Sequence, residues 1–431
     1  MSYGHAISPM QPRTVRPIIV APGSSVAALG FIRSLGEMKV PVIALGGERG
    51  PGIHSKYCRA FACKEVSQSP VLIEAIAKIA RFTGQRPILL PSSDEAARTI
   101  SYGRTAIAEF ADSPILDQRI ADACLTKSGL HKAAERLDVP HPDAFFPEDR
   151  ESLLGIEDRI DYPCVLKPDD SKKLYRVFGV KAFMVRSKAE LLGAYLKCEQ
   201  RGVSVFVQEY IPGDVTANHG FAAYFDRRSM PHCIVTYQRL SEWPRDSPGI
   251  ASMAMSVSEP ELAELGARLF SGLEFHGIVQ AEFKRDSRDH KWKIIDVNPR
   301  AWTSNRLATA SGCNIPYAAY AEYCGIPLQE SYMRPQVRWV NFVDTAFDFL
   351  NRWRQGGLSL SDLRFPGREK VTYAVFDWND PKPFVWFLRN IGWASRLGRA
   401  VRSQSGWGEE KTASDRAMLD APGEAKLHSR Q

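Results

Sequence analysis

The 431-residue sequence has no CxxC pair. Its eight cysteines, Cys58, Cys63, Cys124, Cys164, Cys198, Cys233, Cys313 and Cys324, are scattered, with no Cys/His cluster of zinc-ligand spacing. That excludes a small disulfide-stapled scaffold and a structural zinc module, and it leads to the expectation of a reducing, cytoplasmic location. No apolar run reaches about 18 residues, so no spanning helix is expected. The start, MSYGHAISPMQPRTVRP, lacks a basic end followed by an apolar stretch and does not read as a secretory signal. The GxGxxG fingerprint is also missing, which argues against a two-domain NAD-type dehydrogenase. Charge of one sign is in mild excess, with 56 Lys and Arg against 49 Asp and Glu, net +7. Such an excess suits an anionic ligand, a phosphorylated substrate or an acidic membrane surface, and no nucleic acid is expected as a partner.

What is present is ordinary globular material, 44% hydrophobic and 24% charged, long enough for two to four domains. RPIIVAPGSSVAALG reads as a strand, a Gly/Ser turn and a helix, and KVPVIALGG as a second strand. With VLIEAIAKIARFTG and PILLPSSDEAARTI they predict an open parallel sheet over residues 15–120, with helices on both faces. Ser92 or Ser93 is placed to cap the last of these helices. A second unit begins near Asp122, with a helix from LTKSGL, strands at DYPCVLKPDD, KAFMV and VSVFVQEYIPG, and antiparallel strands through HGFAAYFDRRSMPHCIVTYQR. A helix from about Glu259 to Leu273 precedes GIVQAEFKRD and KWKIIDVNPR, two strands of one hairpin joined by the charged turn DSRDH. Beyond residue 331, NFVDTAFDFLNRWRQGG reads as a helix, and the polar end from about Ser405 as a disordered tail.

Four strings carry chemistry. Glu282 in VQAEFK and Asp296 and Asn298 in IIDVNPR sit where a hairpin would bring two carboxylates and an amide oxygen to one face, a hard oxygen set suited to Mg²⁺. Lys167 ends an apolar strand in CVLKPDD, where its ammonium can reach phosphate oxygens or snorkel to solvent. Gln208, Glu209, Tyr210 and Ile211 end a strand before Pro212-Gly213, a plain hairpin turn or a stretch of backbone open to an adenine edge, with Asp214 beside it for a ribose hydroxyl. Lys127 opens a helix, where a cation opposes the dipole.

In this order, Lys167-Pro, QEYIPG, AEFKRD and IDVNPR resemble the ATP-grasp superfamily, closest in flavour to the carboxylate–amine ligases that include D-aspartate ligases. The resemblance spans about residues 17–330. It implies an α/β and α+β architecture: a Rossmann-like preceding domain over 1–120 and a two-lobed ATP-grasp domain over 121–330. The small lobe would cover about 160–208 and the hinge 208–211, followed by a C-terminal extension over 331–404 and a tail over 405–431. It implies ATP as nucleotide and Mg²⁺ as metal, with Mn²⁺ as a substitute. Carried over, Lys127 and Lys167 hold phosphates, Gln208 to Ile211 take adenine, and Asp214 takes the ribose. Glu282, Asp296 and Asn298 hold the metal, while Arg300 and Arg239 serve the reaction centre. The sequence departs from the family in the loop after Lys167, DDSKKLYRVFG, which is poor in glycine; Ser171, Lys172 and Lys173 are expected to replace bare backbone in a lid over 169–180. Gln280 stands where D-alanine ligases carry an arginine, so their chemistry does not transfer directly.

The implied reaction is attack of a carboxylate on ATP to give an acyl phosphate, then attack by an amine to give an amide. The partners would be small carboxylates and amines, such as an amino acid or a cell-envelope or polysaccharide precursor. Rival readings are an acyl phosphate passed to a non-amine acceptor and a non-catalytic ATP-binding protein. His219 and His276 qualify as general base by residue type alone. In the C-terminal stretch, Phe384, Trp386, Phe387, Ile391 and Trp393 alternate with Arg389, Arg396, Arg399 and Arg402. That pattern fits packing on the core or peripheral contact with an anionic membrane at the inner face.

Overall fold

A computed structural model of the chain describes residues 15–390, apart from 48, 115–116, 169–170, 181, 244–249, 329 and 355–368. Three sheets organise it. The first is parallel, in the order β3-β2-β1-β4, from β1 (Ile18–Ala21), β2 (Val42–Gly46), β3 (Cys58–Ala62) and β4 (Ile88–Pro91). Alternation along β1 decides its packing. Ile18 and Val20 face the helix Val26–Gly36, while Ile19 and Ala21 face the helix Ser69–Thr83. Ser25 caps the first helix through Ala28 N–H, and Ser93, one of the two expected candidates, caps Asp94–Tyr102 through Ala96 N–H.

The second sheet is antiparallel, in the order β5-β8-β6-β7, from β5 (Ala144–Phe145), β6 (Cys164–Pro168), β7 (Phe183–Val185) and β8 (Val205–Glu209). Its core is closed by the helices Ser171–Phe178 and Lys188–Gln200. This corrects the expected lid over 169–180. Leu174 is fully buried in the small core and Phe178 meets Phe183 edge-on at 5.5 Å, so a helical apolar stripe outweighs an open loop. Deleting a side chain buried like Leu174 costs about 2–5 kcal/mol. Asp169 and Asp170, expected in that lid, and the side chains of Ser171 and Lys172 lie outside the described residues, while Lys173 is exposed.

The third sheet has seven strands, in the order β13-β12-β9-β10-β11-β14-β15. They are β9 (Asn218–Phe225), β10 (Pro231–Trp243), β11 (Ile250–Ser256), β12 (Gly277–Arg285), β13 (Trp292–Asn298), β14 (Val337–Val340) and β15 (Lys370–Tyr373). One face, with Phe221, Ala223, Phe225, Val279, Ala281 and Phe283, packs on helices including Pro260–Gly272. The other face shares a core with the first sheet, which joins Ile18 and Phe31 to Tyr224, Trp302 and Trp339. The part of the chain past residue 331 adds β14 and β15 to this sheet, and Phe384 and Phe387 pack on the shared core. Ile391, Trp393, Arg396, Arg399, Arg402 and the tail over 405–431 lie outside the described residues. No helix among the described residues is long and apolar enough to cross a membrane.

Candidate active site

The hairpin β12–β13 sets the site. Gln280 pairs with Asn298 and Glu282 with Asp296 across the strands, and period-two alternation puts all four on one face. The intervening Ala281 and Val297 point into the helix-backed core. A bulge follows the Glu282–Asp296 pair, leaving Ile295 without a cross-strand partner.

A cation from a different element meets each of the three expected ligands. Lys127 is the first residue of the helix Lys127–Arg136, where Thr126 accepts from Gly129 N–H at 3.0 Å and fixes the helix start. Its ammonium pairs with Asp296 Oδ1. Arg239 on β10 bridges Glu242 Oε2 at 3.0 Å and Glu282 Oε2 at 3.1 Å. Arg300 donates to Asn298 Oδ1 at 2.5 Å and holds Asp94 of the first domain at 2.6 and 3.1 Å. Lys167 on β6 donates to Gln208 Oε1 on β8 at 2.7 Å.

These placements shift titrations. Burial opposes the ionised form of Asp296, but Lys127 and then Arg300 outweigh it and hold the carboxyl below its usual range. Burial, with Lys127 adding like-charge repulsion, pulls Lys167 down to about 8 despite Asp296 and Glu282. Burial pulls the Arg239 pKa down in the same way, yet Glu282 and Glu242 prevail and push it up.

The donor inventory fixes an orientation relay. A guanidinium only donates, so the end of Asn298 facing Arg300 is Oδ1. Asn298 Nδ2 therefore donates to Gln280 Oε1, at 2.6 Å. That turns Gln280 Nε2, on a residue 1% exposed, away from Asn298 and toward the Tyr237 hydroxyl. The Tyr237 ring lies against Gly220, where a Cβ would sit 2.1 Å from it, and its hydroxyl lies beside Ser304 and Gln280.

The expected hinge joins β8 to β9. Ile211 is buried, and Lys284 Nζ lies 5.6 Å from the Tyr210 ring centroid. Glu209 does more than end a strand. Its carboxylate binds Lys293 at 2.9 and 3.0 Å, Arg288, and Asp143 N–H at 3.1 Å, tying β8 to the hairpin. Asp214 Oδ1 accepts from Thr216 N–H at 2.9 Å and Thr216 Oγ1 at 2.7 Å, capping the turn Val215–Ala217. A cavity between the lobes is lined by Lys127, His131, His141, Phe206, Gln208 and Ile295. His131 meets His141 edge-on at 4.4 Å, and burial followed by His141 lowers the His131 pKa, which favours the neutral ring.

Reading the sequence missed Glu242, Lys284, His131, His141 and Phe206. Alternation along QAEFK puts Lys284 two past Glu282, a usable signal, whereas the two histidines carry none. His219 and His276 stand away from the hairpin's site face. His219 pairs with Phe283, on the opposite face from Glu282, and packs edge-on against Trp292 at 4.6 Å. His276 precedes β12 and meets Glu322 at 3.1 Å.

Among the described residues no group of three His, Cys, Asp or Glu side chains could hold a metal. Two carboxylates with one amide oxygen nonetheless fit Mg²⁺, which takes few protein ligands and completes its shell with water and phosphate oxygens.

Two lobes closing over this charged face, behind a parallel-sheet domain, make the chain a protein of ATP-grasp fold, with a Rossmann-like domain ahead of the grasp. It is similar to D-aspartate ligase of Enterococcus faecium (strain Aus0004), at 23% identity over 315 residues, covering 69% of this chain and 74% of that one. Among solved structures it resembles biotin carboxylase of Campylobacter jejuni in a β-γ-ATP complex, with TM-score 0.61 and 15% identity over 76% of this chain and 75% of that one. It also resembles L-amino acid ligase of Bacillus licheniformis, with TM-score 0.56 and 12% identity over 76% of this chain and 79% of that one. No family model matches the chain.

Proposed function

We propose that the protein is an ATP-dependent ligase that joins a carboxylate to an amine through an acyl phosphate, releasing ADP and phosphate. The observation that carries this reading is the convergence of Glu282, Asp296 and Asn298 on one sheet face with Lys127, Lys167, Arg239 and Arg300 around them. Glu282, Asp296 and Asn298 would hold Mg²⁺, which when bound neutralises phosphate charge and polarises the transferred phosphoryl group. Lys127 and Lys167 draw the phosphates into the cleft, where burial strengthens each charge interaction. Arg239 and Arg300, already fixed by carboxylates, are preorganised donors for the oxyanion that forms when the amine attacks. The main chain from Gln208 to Ile211 reads the base, with the His131–His141 pair and Phe206 as pocket wall. Asp214 keeps one carboxylate oxygen beyond its cap for the ribose.

The likeness to an L-amino acid ligase and a D-aspartate ligase favours a small amino acid as one substrate. The likeness to biotin carboxylase keeps one other reading, an acyl phosphate passed to a non-amine acceptor. A matrix of carboxylates and amines, read by ADP release and product mass, separates them. A new amide supports the ligase, whereas ADP release that needs a carboxylate and no amine supports the alternative. No carboxylate-dependent ADP release anywhere in the matrix would sink both.

A further inference from the structure

Lys284 is the cation of the cleft that has no partner. It stands two past Glu282 on β12, and β12 pairs with β9 without a break from Gly277 to Lys284, so the two side chains share a face. Phe283 between them points into the helix-backed core. Lys127 is paired with Asp296 and Lys167 with Gln208, whereas the partly buried Lys284 makes no hydrogen bond or ion pair among the described residues. Its stem runs to the hinge exit. The ammonium lies 5.6 Å from the Tyr210 ring centroid, and a Cβ on Gly213 would sit 3.5 Å from Lys284 Cε. Gly213 has a φ of +128°, where glycine is favoured, and a Cβ there would also meet Ala217 at 2.8 Å.

Asp214 follows Gly213 and is held in place. Its Oδ1 takes both Thr216 donors, Asn218 Nδ2 donates to Val215 O at 3.1 Å, and Gln238 Nε2 donates to Thr216 O at 2.9 Å. Asp214 Oδ2 accepts no hydrogen bond among the described residues. Thr216 first, and Lys284 through space, hold the Asp214 carboxyl below its usual range. A lysine ammonium only donates and an ionised carboxylate only accepts. A hydroxyl answers both, accepting from one and donating to the other. A phosphate carries charge and only accepts, so Asp214 would repel what Lys284 attracts. The pair therefore fits a diol better than an anion. We propose that Lys284 reads the ribose of the bound nucleotide, donating to the 2′,3′-diol that Asp214 accepts from, and so selects ribonucleoside over deoxyribonucleoside triphosphates. This rests on the ATP reading above and adds a specificity-determining residue to it.

The test is calorimetry of the full chain with ATP, 2′-deoxy-ATP and 3′-deoxy-ATP in the presence of Mg²⁺. At least one deoxy analogue should bind about tenfold or more weakly than ATP, the loss of a hydrogen bond to a charged group. Lys284→Met keeps the unbranched stem against Tyr210 and removes the charge. It should weaken ATP by about tenfold, with the thermal transition unchanged. Its effect on the sensitive analogue should be less than about twofold, because lysine and hydroxyl act as one unit. Equal binding of all three nucleotides by the parent protein would overturn the proposal. So would equal weakening of all three by Lys284→Met, which would assign the lysine to phosphate. A variant that binds ATP like the parent would leave Lys284 as packing on Tyr210 and overturn it too. A parent protein that binds no ATP would remove the nucleotide reading itself, and this proposal with it; that result differs from ATP bound without regard to its hydroxyls.

Discussion

Two groups of charges hold the molecule's parts together, and they are built differently. At the C-terminal segment, Arg33 and Asp380 are almost fully buried, and both carboxylate oxygens of Asp380 are hydrogen-bonded. Arg33 donates to Asp380 Oδ2 at 3.0 Å and to the carbonyls of Val375 and Asp380 at 2.8 and 2.9 Å. Ser55 Oγ and Lys56 N–H complete the carboxylate at 2.6 and 2.9 Å. In the cleft the pairs are partly open to solvent and cations crowd one another. A closed set of bonds fixes one structure. An open set, with like charges held together, stores interaction energy for an anionic ligand. This contrast is why the first cluster reads as structure and the second as chemistry.

The largest expected effect breaks the closed cluster. Asp380→Ala strands a buried guanidinium and should cost about 3–5 kcal/mol in denaturant unfolding. Activity per folded molecule should survive, and a cost below about 1 kcal/mol would show that Arg33 finds another partner. Next, Asp296→Asn should lower ATP turnover by about a thousandfold. It should change stability by no more than about 1 kcal/mol, because its pair with Lys127 is partly exposed. Turnover near that of the parent protein, measured as ADP release, would remove Asp296 from the site.

A third test uses pH. Lys167 titrates near 8 in the free protein, so it carries its charge below that value and loses it above. ATP affinity by calorimetry should hold up to about pH 8 and then weaken by up to about tenfold per unit, as the proton must be regained on binding. Lys167→Arg should flatten that decline; an unchanged decline would assign it to another group. The smallest effect concerns the base. Main-chain recognition at Gln208 to Ile211 should favour ATP over GTP by about tenfold or more, since mismatched donors in the cleft would be left unpaired. Equal affinities would move the base away from the hinge.

Much of this was legible in the sequence, and the reasons are local. IIDVNPR announces a strand whose alternate residues face one way, and DSRDH announces the turn, closed by Asp286 N–H to Lys291 O at 2.9 Å. Other parts were not legible. The lid string SKKLYRVF is glycine-poor and also helix-compatible, and only the pocket for Leu174 settles which it becomes. IASMAMS has weak strand character, yet it forms β11 because β10 and β14 pair with it on both sides. β14 and β15 lie in the stretch expected as an extension. Parallel pairing at a sheet edge joins segments distant in the chain and leaves no local pattern.

The sequence by itself determined that Gln280 and Glu282 share one face of their strand and Asp296 and Asn298 one face of theirs, because side chains alternate along any strand whatever surrounds it; the hairpin register that brings the two pairs together is tertiary. It also determined where Lys127 and Lys167 stand, one opening a helix and the other near a strand's end. Only the tertiary structure decided what each of them meets. Lys127 reaches Asp296 across 169 residues, Arg300 reaches Asp94 across 206, and the Glu209 side chain binds Lys293 across 84. Those choices depend on distance and burial in space, and Coulomb attraction and desolvation take no account of separation along the chain.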